Sequence, residues 1–180
     1  MRHQLNRLLM AALLATFAAT AAVSQNTDAE IATKLAREIR TYSRYTIWDN
    51  VNLRVTEGQV ELLGEVSRPF KKKDLERIAQ RVPGVAGVTN RLRVLPTSFH
   101  DDDLRIRVAR AIYRDPVLSR YALQAVPPIH IVVDNGRVSL EGVVNNDLER
   151  TVAGIRAASA GLSFGPVANN LRVEQRKERG

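Results

Sequence analysis

The stretch VNLRVTEGQVELLGEV, at residues 51–66, is matched without a gap by IHIVVDNGRVSLEGVV at residues 129–144. In each copy, two runs of alternating apolar residues flank a glycine-containing turn, which is the pattern of a β-hairpin. Asn135-Gly136 is the stronger turn because both central residues of a type I′ turn need positive φ, and Glu57-Gly58 is its weaker counterpart. This internal repeat predicts two copies of one small module.

Two further glycines lie inside the second strand of the predicted hairpins, Gly64 in the first copy and Gly142 in the second. Glycine is unfavourable within a strand, so these positions predict a close approach of a helix to the sheet. With the turn glycines they form the set of structural candidates: Gly58, Gly64, Gly136 and Gly142.

Apolar residues at helical spacing flank each hairpin. The helix before the hairpin is predicted from these residues of the two copies: Ile31, Leu35 and Ile39; Leu104, Val108 and Ile112. The helix after it is predicted from a second set: Leu75, Ile78, Ala79 and Val82; Leu148, Val152 and Ile155. Asp28 and Asp101 precede the first helices and are interpreted as helix-start acids.

Each copy then ends in a short predicted strand, at residues 88–94 and 167–173. The module is predicted to run helix, strand, strand, helix, strand, with two helices on one face of a three-stranded sheet. The fold class is therefore α+β, with tandem modules at residues 28–96 and 99–174, a linker around residues 95–101 and a basic tail at residues 175–180.

The N-terminus has the order of a secretory signal peptide. Arg2 and Arg7 precede an apolar run at residues 8–22, and Ala22-Val23-Ser24 fits the small-x-small cleavage pattern. Residues 1–24 are predicted to be removed, so that the mature chain begins near Gln25 in the periplasm. The alternative is an uncleaved membrane anchor, although the apolar run is short for one.

Composition indicates which partners to expect. The chain has a net charge of +8, and residues 28–96 hold 13 Lys and Arg against 9 Asp and Glu, while residues 97–174 hold 9 of each. A basic surface attracts anionic partners, and an exported protein meets anionic lipid headgroups rather than nucleic acid. The chain has no cysteine, which excludes disulfides and thiolate chemistry. The sequence contains no motif for catalysis, so no catalytic residue, cofactor or metal site is predicted.

The ordered set of elements resembles the BON domain, named for bacterial osmotically induced and nodulation proteins, over nearly the whole chain after residue 24. Its pattern V-x-L-x-G-x-V stands at residues 60–66 and 138–144, and V-x-N-x-L-x-V stands at residues 88–94 and 167–173. The resemblance implies a non-enzymatic periplasmic protein linked to envelope integrity or osmotic stress, with phospholipid binding by the module. Some double-BON relatives are lipoproteins that use a helix of the second copy to contact lipid. This chain departs from them, because it lacks the lipidation cysteine and its corresponding helix opens with Asp147 and Glu149.

Lys71, Lys72 and Lys73 are the main lipid-binding candidates, together with Arg68. Pro69 marks a helix start, where free amides and lysines would form a phosphate-binding surface. The alternative is a solvated run of charges without a ligand.

Three other groups of residues each allow a binding interpretation and a structural one. Tyr42, Tyr45 and Trp48, beside Arg44, suit a headgroup contact, or they cover the small core. The acids at residues 101–103, after His100, suit a metal site or a helix cap, and the cap is preferred. His130 alternates with Ile129 and Ile131 and should face away from their buried side.

The predicted function is peripheral binding to anionic envelope phospholipid. The alternative is a stress-induced, protein-binding or chaperone-like factor of the periplasm, with envelope proteins as partners. Ionic strength distinguishes the two, because attraction through exposed lysines weakens with salt.

Overall fold

The computed structural model describes residues 20–161 and 163–174, which form two modules of the predicted kind. The first consists of α1 (Thr20–Thr41), β1 (Asn50–Thr56), β2 (Gln59–Val66), α2 (Pro69–Gln80), β3 (Gly87–Asn90) and β4 (Arg93–Val94). The second consists of α3 (Phe99–Tyr113), a 3-10 turn (Ser119–Leu123), β5 (Ile129–Asp134), β6 (Arg137–Val144), α4 (Asp147–Ser159), β7 (Ala168–Asn169) and β8 (Arg172–Val173). The α+β class and the order of elements are confirmed.

Most of the predicted signal peptide, at residues 1–19, lies outside the described residues, as does the basic tail at residues 175–180. Signal cleavage and a role for the tail therefore stay predictions. No helix in the described part of the chain has both the length and the apolar character of a transmembrane span.

The central strand of each module is the second strand of its hairpin. β2 pairs antiparallel with β1 and parallel with β3 and β4, and β6 pairs in the same way with β5, β7 and β8. The third strand is parallel because helix α2 or α4 carries the chain back across the sheet. It is not one continuous strand as predicted, because it breaks where Leu92 or Leu171 turns into the core. At each break, the side chain of Asn90 or Asn169 accepts a hydrogen bond from the amide of that leucine.

Both hairpins close with two residues of positive φ, as a type I′ turn requires. The φ values are 52° at Glu57 and 72° at Gly58, and 51° at Asn135 and 76° at Gly136. The turn amides are then left without strand partners, and an aspartate from the preceding helix accepts both of them.

The two aspartates interpreted as helix-start acids are these turn acceptors. Asp28 lies inside α1, not at its start, and its carboxylate accepts from the amides of Glu57 and Gly58 at 2.7 and 2.8 Å. Asp101 lies in the first turn of α3, but the N-cap is Ser98. Its carboxylate accepts from the amides of residues 135 and 136 at 2.9 and 2.8 Å. The helix-start prediction was therefore wrong for Asp28 and incomplete for Asp101.

Gly64 and Gly142 occupy equivalent places in β2 and β6, with φ values of 104° and 115°. A Cβ at Gly64 would lie 2.1 Å from the carbonyl oxygen of Asn50, and one at Gly142 would lie 1.9 Å from that of Pro128. The predicted close approach of a helix is wrong, because the crowding comes from the backbone of the neighbouring strand.

The predicted apolar stripes of the two first helices are buried, and so are Leu75 and Ala79 of α2 and Val82, which follows the end of that helix. The prediction for α4 was wrong for Leu148 and Ile155, whereas Val152 is half-buried against the second core. The buried stripe of α4 is Glu149, Ala153 and Ala157, which align with Lys71, Leu75 and Ala79 of α2. Leu148 and Ile155 are instead 63% and 59% exposed.

The modules pack against each other through the chain between α1 and β1. The amide of Ile131 in β5 donates to the carbonyl oxygen of Ile47 at 2.7 Å, and Ile47 and Trp48 pack against the core of the second module. Arg93 and Asp134 form an ion pair across the modules at 2.5 Å. The connection between the modules is shorter than the predicted linker, because β4 ends at Val94 and α3 begins at Phe99.

Candidate functional site

The start of α2 carries the lysines that the sequence singles out. Pro69 occupies the first helical turn, Arg68 is the N-cap in extended conformation, and no side chain in the described part of the chain caps this end. The first turn contains no acid. A helix end of this kind presents its dipole and cationic side chains together, which favours an anion.

Lys71 does not belong to an exposed lysine surface. It is only 4% exposed, and its ammonium group donates to Asp49 at 2.6 Å, to the hydroxyl of Ser67 at 2.9 Å and to that of Thr46 at 3.2 Å. The expectation of three exposed lysines is wrong for this residue. Helix geometry is the reason, because Lys71 lies one turn before Leu75 on the buried side of α2.

Asp49 is the residue that the sequence interpretation missed here. It is fully buried, and besides Lys71 its carboxylate accepts from the amides of Thr46 and Ser67 at 2.9 and 2.8 Å. A buried ion pair with this many bonds fixes the loop before β1 to the start of α2. Nothing in the local sequence around Asp49 indicates a partner 22 residues away.

The remaining cations and one exposed aromatic ring form a surface that we name the α2 corner: Arg44, Arg68, Lys72 and Lys73, with Phe70. Phe70 is 42% exposed, and the guanidinium of Arg44 lies 5.1 Å from the centre of its ring. Arg68 and Lys73 are exposed and Lys72 is half-buried, and none of the three forms an ion pair within the described residues. An exposed ring among uncompensated cations suits the headgroup level of an anionic membrane.

The aromatic stretch before β1 has a structural role. Tyr42 and Tyr45 pack against the first core, whereas Trp48 packs against the second. The Tyr42 hydroxyl donates to the carboxylate of Asp74, and burial raises the pKa of Tyr45 to about 12, so that its phenol stays neutral. The core interpretation therefore holds for the tyrosines, and the tryptophan holds the modules together.

The start of α4 has the opposite electrostatic character. Glu149, at the position of Lys71, is buried, and its carboxylate accepts from the Tyr121 hydroxyl and pairs with Arg120. Asp147 adds a second acid in the same turn. The two modules share a fold, but only the first presents a basic helix start.

The two described histidines do not form a metal site. His100 stacks on Phe164 with ring centres 5.0 Å apart, and no group of three or more His, Cys, Asp or Glu side chains in the described residues is placed to hold an ion. His130 faces away from the second core as predicted, but it is buried under Tyr45 of the first module at 5.4 Å between ring centres.

One of three comparisons with known proteins assigns the chain to a family. The family model for the BON domain matches residues 27–96 and 100–175, and no curated protein matches. Among solved structures, the C-terminal domain of CdsD, the structural protein of the type III secretion system of Chlamydia trachomatis, is 13% identical over 78% of this chain, with a TM-score of 0.32. A second CdsD structure is 15% identical over 81% of this chain and 94% of its own length, with a TM-score of 0.26.

The chain spans 64% of the first CdsD structure. TM-scores this low support no argument, so the assignment rests on the two family matches, which together cover most of the sequence. The chain therefore belongs to the BON domain family, whose modules are non-catalytic binding domains associated with phospholipid and membranes, and it contains two of them in tandem.

Proposed function

We propose that this protein binds the surface of anionic phospholipid membranes as a peripheral protein, through the α2 corner. The observation that carries the proposal is the exposed Phe70 ring beneath Arg44, beside Arg68 and Lys73 that form no ion pair among the described residues. The association of the family with phospholipid supports it.

The expected strength follows from the number of cations. Each lysine or arginine near an anionic surface contributes about 1 kcal/mol, so three acting together change the affinity by about a hundredfold. Lys71 adds nothing to this sum, because its charge is buried against Asp49. Partial insertion of Phe70 gives a contribution that salt does not screen.

Co-sedimentation with lipid vesicles tests the proposal. The protein should sediment with phosphatidylglycerol vesicles and stay in solution with phosphatidylcholine vesicles, and raising the ionic strength should release most of it. Equal binding to both vesicle types, or binding that salt leaves unchanged, would contradict attraction through the corner.

The proposed location is the periplasm, with a role in envelope integrity or osmotic stress. The support is the leader-like sequence of residues 1–24 and the family. N-terminal sequencing of protein from the envelope fraction should find a start near Gln25. Recovery of the intact Met1 form from the cytoplasm would contradict the proposed periplasmic location.

A second candidate function is binding of other envelope proteins, in a chaperone-like role. It is favoured by the exposed Leu148 and Ile155 of α4, an apolar surface of the second module. Apolar contacts of this type persist at high salt. Suppression of the aggregation of an unfolded client protein at high salt, and its loss in a Leu148→Ser, Ile155→Ser variant, would support this alternative.

A further inference from the structure

A cleft of about 600 Å³ lies between the two modules, on the side where β1 faces β5 and β6. Its walls come from α1 and β1 of the first module and from the start of β5, the end of β6 and β8 of the second. This volume is within the range of about 300–1,000 Å³ found for small-molecule sites. The cleft is separate from the α2 corner, none of whose residues lines it.

His130 lies in the wall of this cleft and is almost fully buried. Its side chain is 9% exposed, and its Nδ1 is fully buried, so this atom does not open into the cleft. Burial lowers the pKa of His130, so its imidazole is neutral at pH 7. His130 therefore adds no charge to the wall of the cleft.

The charges that line the cleft favour an anion. Arg40 on α1 and Arg172 on β8 line it from opposite modules, and both are exposed and without an ion pair in the described part of the chain. Glu141 is the one acid among the lining residues, and it already accepts from the side chain of Asn170 at 2.7 Å. The cleft therefore presents two free guanidinium groups and one engaged carboxylate.

The wall also contains an apolar patch on each side of the cleft. Val51 and Leu53 of β1 lie half-buried on one side, and Val126, Pro128 and Val143 lie half-buried on the other. A lining that combines charged groups with apolar patches suits molecules with an apolar body and a polar end.

We propose that the cleft between the modules binds an amphiphilic anion, a molecule with one apolar chain and a carboxylate or phosphate group. The anionic group lies between Arg40 and Arg172, and the chain lies against the apolar part of the wall. A fatty acid and a lysophospholipid share this chemistry. This site does not rest on the membrane surface proposed above.

Calorimetric titration of protein purified after expression of the full chain tests the site. Three probes are used below their micelle concentrations: laurate, lauroyl-lysophosphatidylglycerol and inorganic phosphate. We expect saturable binding of at least one amphiphile, and the amphiphile that binds identifies the source of the anion. Arg40→Gln and Arg172→Gln should each weaken that binding at least tenfold, a loss typical of one charged contact.

Arg37→Gln is the matched control, because Arg37 is exposed on the same helix and does not line the cleft. It should bind as the parent does. In NMR spectra the imidazole of His130 should shift on saturation while that of His100 stays in place. These effects should persist in an Arg68→Gln, Lys73→Gln variant. The proposal for the cleft and the proposal for the membrane surface are therefore tested separately.

Several outcomes overturn the proposal. They are a lack of saturable binding by both amphiphiles, equal losses in the Arg37 and Arg40 variants, and an unmoved His130 signal at saturation. Phosphate binding as tightly as the amphiphiles would also overturn it, because the apolar wall would then contribute nothing. Thermal unfolding of each variant shows that it is folded, and the exposed arginines should change the Tm little.

Discussion

At the scale of single residues, one position of the repeat holds opposite charges in the two modules. Lys71 and Glu149 are both buried at the start of the second helix, and each has its own nonlocal partners, Asp49 in one case and Arg120 with Tyr121 in the other. Each module therefore has a buried charged side chain at this position. The repeat preserves the position but not the sign of the charge.

Lys71→Met should destabilise the protein by about 3–5 kcal/mol, because it leaves Asp49 buried without its counter-charge. Lys73→Met, two residues further along α2 and exposed, is the control and should cost less than about 0.5 kcal/mol. Urea unfolding measures both. Adding Asp49→Asn to Lys71→Met should restore part of the loss, and equal stability of the two single variants would show that the ion pair is unimportant.

Gly64→Ala and Gly142→Ala should each cost at least about 2 kcal/mol, since the backbone there is strained for any side chain and a Cβ meets a carbonyl oxygen. Gly161 separates these causes. It also has positive φ, at 75°, but a Cβ there meets nothing within 4 Å, so Gly161→Ala should cost only about 1 kcal/mol. Thermal unfolding of the three variants checks the order, and a Gly161 variant as unstable as the others would remove the steric explanation.

The sequence identifies the turn glycines and the strand glycines as structurally important positions. It does not show why the strand positions require glycine. Positive φ at Gly58 and Gly136 follows from local turn chemistry, which a short stretch of sequence contains. The obstruction at Gly64 comes from Asn50, across a strand pair whose exact register the sequence leaves open. The burial of Lys71 escapes prediction for a similar reason, because its partner is distant in the chain.

At the scale of elements, each module joins its first helix to its hairpin through one aspartate. Asp28 and Asp101 each accept from two turn amides, so helix and turn form a closed unit. From sequence alone, an acid near a helix start is interpreted as a cap, since this is its commonest role. The turn that needs the acceptor lies about thirty residues later and gives no local indication.

Asp101→Ala should destabilise the second module by about 2 kcal/mol or more, because it leaves the buried amide of Gly136 and the partly buried amide of Asn135 unsatisfied. Asp28→Ala should cost less, since Asp28 is only half-buried and water can replace its carboxylate. Hydrogen exchange provides the specific readout, with faster exchange at Asn135 and Gly136 in the first variant and at Glu57 and Gly58 in the second. Unchanged exchange at these amides would contradict the proposed role of the two aspartates in holding the turns.

The helix α4 shows where apolar spacing misleads. Leu148, Val152 and Ile155 have helical spacing, yet the buried side carries Ala153, Ala157 and the charged Glu149. Small residues let α4 pack closely in its module, and a buried acid is invisible to a rule based on apolar residues. Comparison with α2 was the available clue, because Ala157 aligns with Ala79 in the repeat.

At the scale of the whole molecule, the two modules form a joint structure. β5 is buried on both faces, because the first module covers the side of the strand that holds His130 and Val132. The sequence predicts two modules in tandem but contains no periodic pattern for the contact between them. The cleft between the modules exists only through this contact, and for that reason it could not be predicted.

Burial sets the direction of a pH effect at this contact. It lowers the pKa of His130 below its ordinary value of 6.5, even though the neighbouring Asp49 acts in the opposite direction. Tyr45 covers the ring, and Glu141 faces it from β6. The unfolded chain therefore takes up a proton at higher pH than the folded chain does, so stability is complete above pH 6.5 and falls as the pH drops below it.

The free energy of unfolding at pH 7.5, 6.5 and 5.5 should decrease in that order, and a His130→Phe variant should show a smaller decrease. Carboxylates in the ordinary range titrate below this window, so they add little. A decrease of the same size in the variant and the parent would show that His130 does not carry the effect.

We propose that a localised surface, and not the overall positive charge, binds anionic lipid. The variant Arg68→Gln, Lys72→Gln, Lys73→Gln removes three charges from the α2 corner. The variant Lys34→Gln, Arg37→Gln, Arg81→Gln removes three exposed charges elsewhere in the same module. Both variants lower the net charge equally. A difference in their binding therefore depends on where the charges lie and not on how many there are.

Sedimentation with phosphatidylglycerol vesicles at low salt is the deciding measurement. We predict that the corner variant binds about a hundredfold more weakly than the parent, while the variant with charges removed elsewhere binds nearly as well as the parent. Equal losses in the two variants, or parent-like binding by the corner variant, would contradict the claim that the α2 corner is the lipid-binding surface.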